Sequence, residues 1–211
     1  MLVLFDGGHG INTPGKHSTD KSLYEYKWNR EEVAILLDLF KSKGIPCEAI
    51  TPEITDVPIY TRANRVNERC RQYGKDNVLL ISVHVNAHGD GSVWTGARGI
   101  SVYTYKQVLK DSNGNILQTK VASENSRRVA TFFGEACKEM GFNLRTPLPN
   151  QLYWEENFGI LRRTNCPAIL TENFFMTNPE DLKFIKSDSG KELIAKAHLE
   201  AVKKYLEYLG L

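Results

Sequence analysis

The sequence predicts an α/β fold: one domain built on a mostly parallel, twisted sheet with helices on both faces. Three observations carry this. Apolar runs of strand length alternate with longer segments of helical period along all 211 residues, the pattern of strand and helix units in a layered fold. The run Asn77–Val83 is apolar almost throughout, as expected of a strand covered on both faces. Glycine or proline closes most elements, so the punctuation falls where the period changes.

Met1–Asp6 reads as a buried strand ended by Gly7-Gly8. From Tyr24 to Lys43, Val33, Leu36, Leu37 and Phe40 recur at three- and four-residue steps, an amphipathic helix closed by Gly44 and Pro46. Ile45–Ile50 is a short strand. Ala63, Val66, Cys70 and Tyr73 mark a second helix that ends at Gly74, and the strand Asn77–Val83 follows. Gly99–Tyr105 alternates and is β-branched, hence another strand. Lys106–Thr119 breaks the pattern around Asn113-Gly114 and reads as a surface hairpin or insertion. Val129, Phe132, Phe133, Ala136 and Met140 mark a third helix, stopped at Gly141, and Pro167–Glu172 is the last core strand. Asn178-Pro179-Glu180-Asp181 starts a helix with an N-cap, a proline at the first position and acids near the positive dipole end. From Ser189 onward, Ile194, Ala197, Ala201, Tyr205 and Tyr208 form one stripe of a final helix.

Composition excludes several classes. Twenty-seven basic against 25 acidic residues leave a net charge of +2, too little to imply nucleic acid or an acidic membrane surface as partner. The longest apolar stretch, Val78–Val83, is broken by Ser82 and falls far short of the ~20 residues of a membrane span. The first residues carry no basic and apolar leader with a cleavage site, so a Sec-type signal is not expected. Cys47, Cys70, Cys137 and Cys166 are scattered without a CxxC pair, so free thiols are expected, not a disulfide framework or thiolate metal site.

In an open α/β sheet, ligands bind beyond the carboxyl ends of the strands. The residues there are informative. Asp6-Gly7-Gly8-His9-Gly10 follows the first strand, His84-Val85-Asn86 the strong central one, and Thr171-Glu172-Asn173 lies on the last, while Glu25 opens the first long helix. Two imidazoles and two carboxylates thus gather at one sheet edge. Zinc hydrolases commonly use three His and Asp/Glu ligands with a fourth position open to water, plus a nearby carboxylate to carry protons. From the residues alone a metal site and a set of unrelated structural side chains both stand.

The motifs, taken together, resemble a known family. Asp6-Gly7-Gly8-His9-Gly10, Glu25 with Asn29, Ser82-Val83-His84-Val85-Asn86-Ala87 and Leu170-Thr171-Glu172-Asn173 through Glu180 resemble the successive signatures of zinc-dependent N-acetylmuramoyl-L-alanine amidases of the Amidase_3 type. Ile59-Tyr60-Thr61-Arg62 with Asn67, and Phe158-Gly159-Ile160-Leu161-Arg162 with Pro167-Ala168, resemble that family's intervening segments. The resemblance implies that His9, Glu25 and His84 hold one Zn2+ and that Glu172 is the catalytic glutamate. It also implies hydrolysis of the amide between the lactyl group of N-acetylmuramic acid and L-alanine of the peptidoglycan stem. Peptidoglycan or muropeptide is then the partner, in the bacterial cell wall, and a monomer is expected. Residues 1–211 read as the catalytic domain alone, with no separate wall-binding domain. Two departures stand out: Asn173-Phe174-Phe175 replaces the usual Gly-Phe after the glutamate, a form closer to phage endolysin amidases, and Asp6-Gly7-Gly8 replaces Asp-Pro-Gly.

Arg62, Asn86 and Arg162 are candidates for hydrogen bonds to the substrate, or equally for pairs within the protein. His17 and His88 lie in loops that could border the cleft, and His198 reads as structural. Gly10-Ile11-Asn12-Thr13-Pro14-Gly15-Lys16 fits the GxxxxGK of a phosphate loop. However, His17 stands where a magnesium-binding hydroxyl belongs and Pro14 removes a backbone donor, so a nucleotide hydrolase is rejected. Two rivals remain: an inactive amidase-fold module that binds wall fragments or a partner, and a zinc peptidase cutting within the stem peptide.

Overall fold

A computed structural model describes residues 1–211. The elements run β1 (Leu2–Gly7), α1 (Glu25–Ser42), β2 (Cys47–Ala49), α2 (Ile59–Tyr73), β3 (Val78–Asn86), β4 (Ser101–Lys110), β5 (Ile116–Val121), α3 (Glu124–Glu139), β6 (Trp154–Glu156), α4 (Gly159–Arg163), β7 (Ala168–Phe175), α5 (Pro179–Lys186) and α6 (Asp188–Tyr208). The sheet order is β2-β1-β3-β7-β4-β5, with β6 beside β4. β1, β2, β3 and β7 are mutually parallel, and β4 joins β7 antiparallel. The α/β class, the mostly parallel sheet and helices on both faces are as the sequence predicts.

Strand alternation sends the two faces into separate cores. Val3, Phe5, Leu79, Ile81 and Ile169 pack with α1, α3 and α6. Leu2, Leu4, Val78, Leu80 and Leu170 pack instead with α2 and α4. Continuing the second set along each strand brings Asp6, Ser82, His84 and Glu172 to the α2/α4 face, at the carboxyl edge.

Several boundaries differ from the sequence reading. β3 runs on to Asn86 and β7 to Phe175, because the two strands keep pairing beyond Val83 and Glu172. His84 and Glu172 therefore project from paired strand, and Asn86 lies just past a register shift. The Lys106–Thr119 segment is indeed a hairpin, but its first arm is the extension of β4, and its second arm reaches Val121. β6 and α4, too short to show a period, are additions. No helix is long and apolar enough to cross a membrane.

Candidate metal centre

Three elements converge on the site. Glu25 opens α1, where its carboxylate meets the positive end of the helix dipole. His84 projects from β3. His9 sits in the loop after β1, and it is this residue, with φ 60°, that takes the left-handed turn. Such a conformation is unfavourable for a non-glycine residue and needs external support. The neighbouring carbonyls supply it: Asn29 donates to the Gly8 carbonyl at 3.1 Å and Arg30 to the Gly7 and Gly8 carbonyls at 3.2 and 3.0 Å. Gly8 is required for a different reason. A Cβ there would lie 2.1 Å from Cε1 of His84, so the loop closes on that imidazole only without a side chain.

Glu25 Oε1 lies 3.0 Å from His84 Nδ1 and 3.4 Å from His9 Nε2. The two rings meet edge to face, centroids 5.0 Å apart. One potential ligand atom from each of the three residues lies within 4.8 Å of the others. Glu25 is 2% exposed, His84 15% and His9 21%, so the cluster is sealed beneath and open above. Burial opposes ionisation of Glu25, but hydrogen bonds with His84 and His9 outweigh it and hold the carboxyl below the usual carboxylate range. Burial likewise pulls the His84 imidazole down, and its contact with Glu25 more than reverses this, leaving its pKa raised. Two imidazoles around one buried carboxylate are the donor set of a divalent zinc-type ion. The residues fit that cation.

Glu172 is the partner of His84 across the parallel pair. One carboxylate oxygen, Oε2, is buried without a hydrogen-bond partner in the protein. Burial pushes its pKa up to about 7, with His84 opposing and Glu25 adding to the rise. Just beyond it β7 bulges: His84 pairs with Glu172 but Asn86 pairs with Phe175, and Phe174 adopts φ 66°. Asn173 uses the bulge to donate to the His84 carbonyl at 2.9 Å, bracing β3 at the site.

A cavity of about 630 Å³ opens over these groups; its lining includes His9, His84 and Glu172 together with the apolar Ile59, Phe158 and Ile160. Of the candidate substrate residues, Arg62 reaches this cavity with its guanidinium engaged internally. It donates to Asp6 Oδ1 at 2.9 Å, Asp56 Oδ1 at 2.7 Å, the Val57 carbonyl at 2.7 Å and the Gly7 carbonyl at 3.1 Å. Of the two roles open to Arg62, the internal pair is the one its contacts describe. Arg162 bonds Asn157 at 2.8 Å and lines a different groove, beside Ser126 and Cys166. Asn86 lies at the end of β3 outside the cavity lining and receives the Met176 amide on its carbonyl. His17 bonds the Ser18 carbonyl and His88 is exposed beyond β3; neither lines the cavity. His198 is buried between the Ile194 carbonyl and Thr171. The sequence names Asp6 and Lys16 only as members of motifs and gives no sign of Arg30 as a neighbour of the site. For Lys16 a signal existed, since it ends the glycine-bounded segment beside His9.

Comparison with known proteins places the chain in a family. A family model described as N-acetylmuramoyl-L-alanine amidase matches residues 3–204. The probable cell wall amidase LytH of Staphylococcus aureus is 27% identical over 203 residues, 96% of this chain and 57% of that protein. The endolysin of Bacillus phage SPP1 is 27% identical over 128 residues, 61% of this chain and 40% of the endolysin. The chain thus spans less than two thirds of the length of these relatives. The crystal structure of an N-acetylmuramoyl-L-alanine amidase from Clostridium difficile 630 has a TM-score of 0.76, covering 98% of this chain and 96% of that one at 24% identity, a likeness of fold.

Proposed function

The chain belongs to the N-acetylmuramoyl-L-alanine amidase family, and on that basis we propose that it cleaves the amide joining the lactyl group of N-acetylmuramic acid to L-alanine in peptidoglycan, with one zinc ion held by His9, Glu25 and His84. The observation that carries this reading is the register pair His84–Glu172. It sets a proton-exchanging carboxylate beside a three-donor cluster in the same cavity. Bound there, a zinc ion supplies electrophilic polarisation of the scissile carbonyl and acidification of water.

The chain's own residues do the rest. Glu25, deprotonated, supplies the anionic donor and lies against His84 Nδ1 and His9 Nε2, so that the three would share one ion. Glu172, whose burial raises its pKa to about 7, is suited to taking a proton from water and returning it to the departing alanine nitrogen through Oε2. Ile59, Phe158 and Ile160 give the cavity an apolar part of its lining on which the substrate's non-polar groups can rest. Arg62, Asn29 and Arg30 hold the His9 loop, and on this reading Arg62 contributes by positioning. Asn86 and Arg162, outside the cavity, are left to contacts with the longer peptidoglycan strand.

The test is digestion of purified peptidoglycan before and after chelation, with product analysis. A new amino terminus on L-alanine, lost on chelation and restored by zinc, is expected. Cleavage inside the stem peptide with the lactyl amide intact would make the protein a peptidase. Binding without any product would make it an inactive module.

A further inference from the structure

The cavity holds one cation that the machinery above does not use. Its charged lining consists of Asp6, Asp56, Arg62, Glu172, the two histidines and Lys16. Arg62 is neutralised by Asp6 and Asp56 at 2.9 and 2.7 Å. Lys16 forms no ion pair and its ammonium has no hydrogen-bond partner, although the residue is only half-exposed. Its position is fixed by backbone: the Lys16 carbonyl accepts the Glu25 amide at 2.9 Å, and His17 bridges Tyr24 in an antiparallel pair. The loop from Gly10 to Lys16 is therefore tied to the first residue of α1, the same residue that forms the floor of the metal cluster. Lys16 also lies close enough to Glu172 to lower its pKa electrostatically.

A half-exposed lysine that lines the cavity with no salt bridge or side-chain hydrogen bond, and with only the more distant charge of Glu172 acting on it, is matched by an anionic group of the ligand. With the lactyl amide at His9, His84 and Glu172, the nearest ionisable group of the substrate is on the stem residue that follows L-alanine. That residue is a γ-linked glutamate, whose α-carboxyl is free in some walls and amidated in others. We propose that Lys16 is a specificity-determining residue that recognises this free α-carboxylate, so that the enzyme prefers stem peptides with glutamate over those with its carboxamide. The inference rests on the amidase reading. It also accounts for the glycine-bounded lysine that resembles a phosphate loop: the segment delivers a cation to an anion, a carboxylate instead of a phosphate.

The experiment uses two defined muropeptides, identical except for carboxylate or carboxamide at that position, with the zinc-loaded protein and its Lys16→Met variant. Lys16→Gln serves as a second variant should the first fold poorly. Wild type is expected to show a kcat/KM roughly ten- to a hundredfold higher for the carboxylate, the usual worth of a charge-assisted contact. Lys16→Met should bring the carboxylate-to-carboxamide ratio of kcat/KM down to about one, mainly through KM for the carboxylate, on top of a change in kcat common to both substrates from removing a charge near Glu172. Equal wild-type rates on both substrates would overturn the proposal. So would a Lys16→Met variant that keeps the wild-type ratio, its loss falling equally on both substrates, which would make Lys16 part of the chemistry. A wild type that cleaves neither muropeptide, yet binds zinc, would overturn the amidase reading itself and this inference with it.

Discussion

Replacing Arg62 by methionine tests whether the charged network under the His9 loop is structural. Arg62 is 2% exposed and its partner Asp6 1%. Methionine keeps an unbranched, space-filling stem and removes every donor. Asp6 would then keep its charge in the interior with Ser82, at 2.8 Å, and Thr51, at 3.3 Å, as its remaining side-chain partners. Removing one member of a buried ion pair costs about 3–5 kcal/mol, because the other charge is left uncompensated. At roughly 2–4 °C per kcal/mol for a domain of this size, Tm should fall by about 6–20 °C. Urea unfolding of wild type, Arg62→Met, Asp6→Asn and the double variant closes a cycle. A coupling of about 1–3 kcal/mol is expected, since the double variant no longer buries an unpaired charge. If Arg62→Met unfolds at the wild-type midpoint while kcat/KM collapses, Arg62 is a substrate contact and the reasoning is refuted.

Other outcomes follow from the same geometry. Glu172→Gln keeps the shape and removes the titrating group, so kcat should drop by about 10²–10⁴ with zinc content unchanged; turnover near wild type would remove Glu172 from the proton path. Gly8→Ala places a methyl 2.1 Å from the His84 ring, which must move, and a displacement of ~1 Å at a reacting centre costs about a hundredfold. Full activity and zinc binding in that variant would contradict the close approach described. His198 gives a pH signature. Burial lowers its pKa from 6.5 to about 4, partly offset by the hydrogen bond to Ile194. The unfolded chain therefore takes up a proton that the folded one refuses as pH falls below 6.5, and stability declines by about 3 kcal/mol by pH 4. His198→Gln should lose this component of the decline between pH 6.5 and 4, and an unchanged slope of urea midpoint against pH would show that His198 is not its source.

The fold class was legible because four strands are short apolar runs and the long helices carry clear stripes. The direction of β4 was not, since antiparallel pairing with β7 is a long-range choice that local alternation does not encode. Likewise β6 and α4 contain too few residues for a period to show. At the site, His9, Glu25, His84 and Glu172 could be singled out by their places at strand and helix ends, and the motifs gave them roles. What the sequence could not show is how the loop is held. His9 itself adopts the left-handed conformation, and Gly8 serves to admit the His84 ring. That outcome depends on Asn29, Arg30 and Arg62, which reach the loop from two helices. Lys16 was weighed only as part of a nucleotide motif, because its proximity to Glu172 arises from a backbone pairing to Glu25 that spacing does not reveal.

The ligand set is tested most directly by zinc-edge X-ray absorption on the purified protein. The proposal predicts one zinc per chain with two imidazole nitrogens at about 2.0–2.1 Å and light oxygen ligands at about 2.0–2.2 Å, a spectrum that loses one imidazole in His84→Ala and is unchanged in Glu172→Gln. A spectrum with sulfur at about 2.3 Å, or one in which His84→Ala leaves both imidazoles in place, would contradict it.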